Sequence, residues 1–300
     1  MNIQDELTKI VGSDHLLIDE PMKNHTHFQI GGPVDYLVMP GNLAELSQVI
    51  RFSRKFNIPH MVIGNGSNLL VRDKGIRGIV IKTTELKTVE IQGNQIYAEC
   101  GITLEELSNL AMNHELTGME FASGIPGTLG GAVVMNAGAY DGEMKDIVVE
   151  SKFIDYDNEL KSLSYNEHLF GYRTSYYQIH KTTVVSATLN LKIGNIDVIR
   201  ARMEELHNQR WDKQPMDLPS GGSVFKRPAG FFVGKLVDDC GLRGTRIGDA
   251  QISDKHCGFI VNIGNATAQD VLSLIKRVQN TVFKRFGVTL EPELRIVGED

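Results

Sequence analysis

Apolar residues recur along this chain at two periods, and the periods divide it into elements. After Asn42, a favourable helix cap, Leu43, Leu46, Val49, Ile50 and Phe56 fall on one face of a helix. The same three-and-four spacing puts Val271, Leu274, Ile275, Val278 and Val282 on the buried face of a helix over 268–286. Thr103 with Glu106 forms a capping box ahead of a helix running to His114. Further helices are predicted near the N-terminus, over 196–209, and over 230–239 with Gly241 as the stop; a short helical turn is predicted over 166–170. Period-two and short apolar runs predict strands at 34–39, 59–63, 79–81, 88–99, 148–155, 160–164, 184–191, 259–262 and 294–297, with Gly93-Asn94 as a hairpin turn. Helices and strands interleave without the strict alternation of a doubly wound sheet, which predicts α+β lobes. The pattern changes at Gly194-Asn195, and 211–219 reads as a proline-punctuated connector. The expected division is a first domain over 1–195, in two lobes of about 1–82 and 83–195, and a second over 196–300.

Two stretches break the periodicity. Residues 123–142 hold six glycines in twenty residues and almost no charge. Pro126 fixes φ ahead of Gly130-Gly131, where a helix can open with amides that have no intrahelical partner. Such amides aimed outward bind phosphate; a tight turn packed on a sheet is the alternative. Residues 59–70 read as a strand entering a loop with Gly64, Asn65, Gly66, Ser67 and Asn68. Leu69 stands where a Rossmann fingerprint has its third glycine, and neither run continues into Gly-Lys-Ser/Thr. Two such loops suggest a dinucleotide held by backbone amides from both sides.

The net charge of −6 argues against nucleic-acid or acidic-membrane partners. An anionic ligand needs local cations, and Lys226, Arg227, Arg243, Arg246 and Lys255 cluster in sequence, unless they are only a solvated surface. Cys100, Cys240 and Cys257 are far apart, which points away from a disulfide framework or zinc site and towards a reducing cytoplasm; no metal is expected. His25 and His27 have no third ligand nearby and read as structural or surface residues. No signal peptide or membrane span is read from the chain.

The segments 63–71 and 123–131 resemble the flavin-binding signatures of the UDP-N-acetylenolpyruvoylglucosamine reductase family. Three more segments match in order: 171–175 (Gly-Tyr-Arg-Thr-Ser), 221–228 (Gly-Gly-Ser-Val-Phe-Lys-Arg-Pro) and 290–295 (Leu-Glu-Pro-Glu-Leu-Arg). The first two indicate the wider flavoprotein superfamily, and the last three carry the specific likeness. The resemblance implies a two-lobed FAD-binding domain of the vanillyl-alcohol-oxidase / p-cresol-methylhydroxylase type plus an α+β substrate domain whose last strand returns towards the flavin. It implies FAD held without a covalent link by Gly64, Asn65, Gly66, Ser67, Asn68, Leu69, Ser123, Gly124, Ile125, Thr128, Gly130, Gly131 and Arg295. With Arg227 where the longer class has asparagine, the chain is similar to the shorter class, which lacks a Tyr-bearing loop.

Ser223 is not a hydrolase elbow, because Phe225 occupies the second glycine position of that motif. Glu293 and Arg295, two apart on a strand, share a face and form either a salt bridge or part of a site. Arg173 offers a planar fork suited to a carboxylate or to a structural ion pair. The resemblance implies roles: hydride passes from NADPH by way of FAD to the vinyl C3 of UDP-N-acetylglucosamine enolpyruvate. Arg173 and Glu293 stabilise the enolate at C2, and Ser223 protonates it. Arg173, Lys226 and Arg227 are the expected substrate contacts. The implied product is UDP-N-acetylmuramate, made by a cytoplasmic, monomeric enzyme. Two other readings stand beside it: another FAD oxidoreductase of the superfamily acting on a sugar or hydroxy acid, and a non-catalytic nucleotide-binding protein.

Overall fold

Eight helices are set by their caps and apolar faces in a computed structural model that describes residues 2–300. They are α1 (Ile3–Val11), α2 (Leu43–Lys55), α3 (Leu104–Asn113), α4 (Leu129–Met135), α5 (Tyr176–His180), α6 (Ile196–Lys213), α7 (Val233–Asp239) and α8 (Ala268–Phe286). The chain forms two compact units: 1–17, 36–65 and 79–209 make the first, and 18–35, 66–78 and 210–300 the second. Against the expected boundary at 195/196, most of α6 groups with the first unit, and two N-terminal segments group with the C-terminal residues.

The first unit is built on a five-stranded antiparallel sheet in the order Leu160–Ser164, Val148–Ile154, Thr183–Asn190, Gln95–Glu99, Val89–Gln92. The Gly93-Asn94 turn closes the last pair, as its sequence predicts. His60–Ile63 runs parallel to residues 79–82. The capping box of α3 is formed, Thr103 Oγ1 accepting from Glu106 N at 3.1 Å while the Glu106 carboxylate accepts from Thr103 N at 3.0 Å. Helix α2 buries Leu46, Val49 and Ile50, but Phe56 is 41% exposed. The helix ends at Lys55, so Phe56 leaves the rotation that would have turned it inward, and Phe52 is buried in its place.

The second unit has a four-stranded antiparallel sheet in the order Ser220–Ser223, Phe259–Asn262, Ala250–Ile252, Arg246–Ile247. Helix α8 buries Val271, Leu274, Ile275, Val278 and Val282 in the core of this unit, together with Leu236, Val237 and Ile260. Arg295–Val297 pairs in parallel with Leu69–Val71. Three expectations need correction here. Helix α6 runs on to Lys213, through Trp211, because the first residue unable to continue it is Pro215. Helix α7 begins at Val233, not 230, since Gly230 lies in the left-handed region (φ +77°) and Phe231 closes a turn onto Pro228 O. The last strand starts at Arg295, one residue late.

Candidate active site

In the first unit the two glycine stretches touch. A Cβ on Gly64 would lie 2.1 Å from Thr128 Oγ1, so only glycine permits this approach. Asn65 Nδ2 donates to Pro126 O at 3.5 Å. Thr128 precedes α4, and an antiparallel bridge ties it to Thr103. That bridge changes the expected role of the helix amides. Leu129 N donates to Ile102 O and Gly130 N to Cys100 O, each at 2.9 Å, so these two do not point outward. Gly130 is a packing residue, because its Cβ would lie 2.7 Å from Cys100 Cβ. Gly131 differs: a Cβ there meets only Thr128 Oγ1, at 3.7 Å. Thr128 Oγ1 is itself buried and has no hydrogen-bond partner among the described residues. Ser123 Oγ is committed to Glu120 O at 2.9 Å, and Ile125 packs partly buried on the core. Gly124 continues this loop.

Arg173 stands in the same unit, in a turn closed by mutual hydrogen bonds between Gly171 and Thr174. Its backbone is left-handed (φ +55°), uncommon for a side chain of this size. Its guanidinium donates to Gly138 O at 2.8 Å and Asn136 O at 3.4 Å, and its carbonyl accepts from Gln178 Nε2 at 2.9 Å. The Tyr172 ring lies 5.2 Å from its Cζ, and its charge helps to lower the pKa of Glu143.

In the second unit the backbone joins three of the sequence motifs. Glu293 N donates to Val224 O at 2.8 Å and Lys226 N to Glu291 O at 2.9 Å, with a bridge between Phe225 and Pro292. This places Glu293 beside the residue that follows Ser223. From the other side Asn68 Nδ2 donates to Glu293 O at 3.1 Å, and Arg295 N donates to Asn68 O at 3.0 Å. Leu69 then pairs with Arg295 in the parallel ladder, and Gly66 O accepts from His27 N. Ser67 completes the loop, half-buried. The half-buried Ser223 ends its strand, with Oγ donating to Phe225 O at 3.2 Å. Arg295 keeps solvent access but is thinly hydrated, and this desolvation holds its pKa below the usual guanidinium value.

The basic cluster is less uniform than its sequence suggests. Lys226 is ion-paired to Glu291, and Arg243 grips both carboxylate oxygens of Asp238. Arg227 stacks on Phe232, with Cζ 3.9 Å from the ring centre. Asn136 carries no local signal in the sequence, because its bonds to Gly171 O and from Arg173 Nη1 join residues far apart in the chain. His25 has its partner in Glu20 Oε1, at 3.0 Å. Among the described residues no helix is long and apolar enough to cross a membrane.

Residues 34–164 match the FAD binding domain family, and residues 214–297 match the UDP-N-acetylenolpyruvoylglucosamine reductase C-terminal domain. A UDP-N-acetylenolpyruvoylglucosamine reductase of Caldanaerobacter subterraneus subsp. tengcongensis is 51% identical over 98% of both chains, and that of Pediococcus pentosaceus is 48% identical over 95% of both. The crystal structure of the reductase from Thermus caldophilus superposes with a TM-score of 0.80 at 35% identity, covering 94% of this chain and 97% of that one. A solved alkyldihydroxyacetonephosphate synthase shares the fold alone, with a TM-score of 0.50 at 15% identity over 64% of this chain and 41% of its own. The architecture is α+β, a FAD-binding domain followed by a reductase C-terminal domain. With half its residues identical to curated reductases from end to end, and both family domains in order, the chain belongs to the UDP-N-acetylenolpyruvoylglucosamine reductase family.

Proposed function

We infer that the chain reduces the enolpyruvyl group of UDP-N-acetylglucosamine enolpyruvate to give UDP-N-acetylmuramate, a peptidoglycan precursor, with FAD as cofactor and NADPH as hydride donor. The observation that carries this is the end-to-end identity with curated reductases. The residues fit the cofactor: Thr128 Oγ1 is buried without a partner, and Gly131 leaves room where a side chain would stand. Gly64, Asn65, Thr128 and Gly131 in the first unit would hold it. FAD, when bound, supplies the two-electron chemistry that carries hydride from NADPH to the vinyl carbon.

Arg173 grips the enolpyruvyl carboxylate and stabilises the enolate developing at C2. Its support is a guanidinium already fixed by two carbonyls, so little freedom is lost on binding. Glu293 contacts the substrate carboxyl end, on a backbone clamped by Val224 and Asn68. Ser223 gives its hydroxyl proton to C2; in the structure that hydroxyl donates to Phe225 O at 3.2 Å. Arg227, and Lys226 once released from Glu291, contact the diphosphate. A nucleotide-sugar substrate is consistent with a cytoplasmic enzyme.

The test separates the half-reactions. The purified protein should be yellow with acid-releasable flavin, and its NADPH oxidation should depend on the enolpyruvyl sugar nucleotide. Ser223→Ala should let NADPH bleach the flavin at the parental rate, while reoxidation by substrate slows by about 10²-fold or more, as for a lost general acid. NADPH oxidation indifferent to the sugar nucleotide would overturn the assigned activity. Unaltered reoxidation in Ser223→Ala would remove Ser223 from its role.

A further inference from the structure

We propose that Asn136 is a positioning residue for Arg173, a role that rests on the reading of Arg173 as the enolate-stabilising group. Asn136 follows α4 in the left-handed region (φ 43°, ψ 56°) and its side chain is wholly buried. A helix end asks only for that backbone conformation, which glycine adopts most readily. The asparagine does more. Its Oδ1 accepts from Lys145 N at 2.9 Å, and its Nδ2 donates to Glu143 Oε2 and to Gly171 O, each at 3.0 Å. Its own carbonyl accepts from Arg173 Nη1 at 3.4 Å. One residue thus holds the Arg173 turn at Gly171 by its side chain and the guanidinium by its main chain.

The second anchor of the guanidinium depends on Asn136 as well. Gly138 O, which accepts from Arg173 Nη2, lies at the base of the hairpin formed by Gly138–Ala139 and Gly142–Glu143. Asn136 ties the far strand of that hairpin through Glu143. Burial opposes the charge on Glu143, but hydrogen bonds from Lys145 and Asn136 hold its pKa below the ordinary value, so it remains an acceptor for Nδ2. Tyr140 and Asp141 at the hairpin tip are also left-handed, at φ 50° and 67°. The helix end accounts for Asn136 and the two-residue hairpin turn for Tyr140 and Asp141, but Arg173, with its large side chain, holds a costly left-handed backbone. Such strain persists only where its surroundings over-determine it. A planar fork must be aimed to work, and Asn136 fixes the aim.

The full-length holoenzyme tests this by stopped flow. Asn136→Gly preserves the left-handed backbone and removes all three side-chain bonds. Asn136→Asp keeps the shape and the acceptor for Lys145 N, but replaces the donor to Gly171 O by an oxygen. Both variants should retain FAD at the parental stoichiometry and accept hydride from NADPH at the parental rate. Flavin reoxidation by UDP-N-acetylglucosamine enolpyruvate should slow about tenfold or more, as expected for a misaimed group. In an Arg173→Ala background, Asn136→Gly should slow it no further, since both changes remove one effect. Parental reoxidation in both variants, equal slowing of both half-reactions, or losses that multiply in the double variant would overturn the role of Asn136 and leave that of Arg173 standing. Loss of fold or flavin in both variants would make Asn136 a structural residue and overturn the proposal. Parental reoxidation in Arg173→Ala alone would overturn the reading of Arg173, and this inference with it.

Discussion

Two neighbouring glycines, Gly130 and Gly131, look alike in sequence and do different work. Gly130 lets α4 lie against Cys100, where a methyl group would lie 2.7 Å from Cys100 Cβ. Gly130→Ala should therefore cost about 1–3 kcal/mol of stability by overpacking, seen as a lower Tm of the flavin-free protein. Gly131 has ordinary room, so Gly131→Val should leave the flavin-free Tm close to parental. It should reduce flavin occupancy, because a branched side chain fills the space the cofactor needs. Full occupancy in Gly131→Val would make this glycine a turn residue and nothing more. Composition marked the stretch as special, but it could not assign the two positions. That assignment comes from Leu129 and Gly130 giving their amides to Ile102 and Cys100, residues that precede α3 in the chain.

At the scale of elements, the legible part of the chain is the part governed by local physics. Helix α8 has the bounds and all five buried positions that its periodicity predicts, because one amphipathic face and two good ends decide it. The Thr103 capping box and the Gly93-Asn94 hairpin follow for the same reason. What stayed hidden is non-local. The strands Ser220–Ser223 and Arg246–Ile247 are too short to show a period, and the ladder that sets Glu293 beside Val224 joins segments about seventy residues apart. The start of α8 shows the same limit. Thr267 caps it, but the amides of Ala268 and Gln269 are taken by Asp73, at 2.8 and 3.0 Å. A carboxylate here satisfies two orphan donors and faces the positive end of the helix dipole. Asp73→Ala should cost about 1–2 kcal/mol, at the upper end for a lost cap, measured by denaturant unfolding with flavin content unchanged. A variant as stable as the parent would show that water replaces the carboxylate without loss.

At the scale of the whole molecule, each unit has its own apolar core, and in each a histidine has its pKa lowered by desolvation. His168 is fully buried; its Nε2 lies 2.6 Å from Ser151 Oγ and its Nδ1 lies 3.1 Å from Tyr165 O. Tyr165 O can only accept, so Nδ1 carries the proton and Nε2 accepts from Ser151, which is bonded in turn to Tyr177. Burial pushes Tyr177 up to about 12, so that phenol stays protonated at working pH. A second proton on His168 would require Ser151 Oγ to turn from donor to acceptor at Nε2. Desolvation, the largest cause, lowers the His168 pKa, and it lowers those of His60 and His256 as well. The unfolded chain therefore binds more protons than the folded one from about pH 6.5 down to the folded-state pKa values. Stability is complete above that window and falls on acidification through it. The carboxylates of Glu106 and Asp238, held low by hydrogen bonds from Thr103 and Arg243, lose their contribution only at lower pH, below about 4. Tm should accordingly decline from about pH 6.5 downward, before any carboxylate is neutralised. His168→Gln should lower Tm throughout, since a close stack on Phe170 is lost, but should flatten the decline that sets in below about pH 6.5. A His168→Gln profile parallel to the parental one would mean that His168 takes up its proton in the folded state as readily as in the unfolded chain.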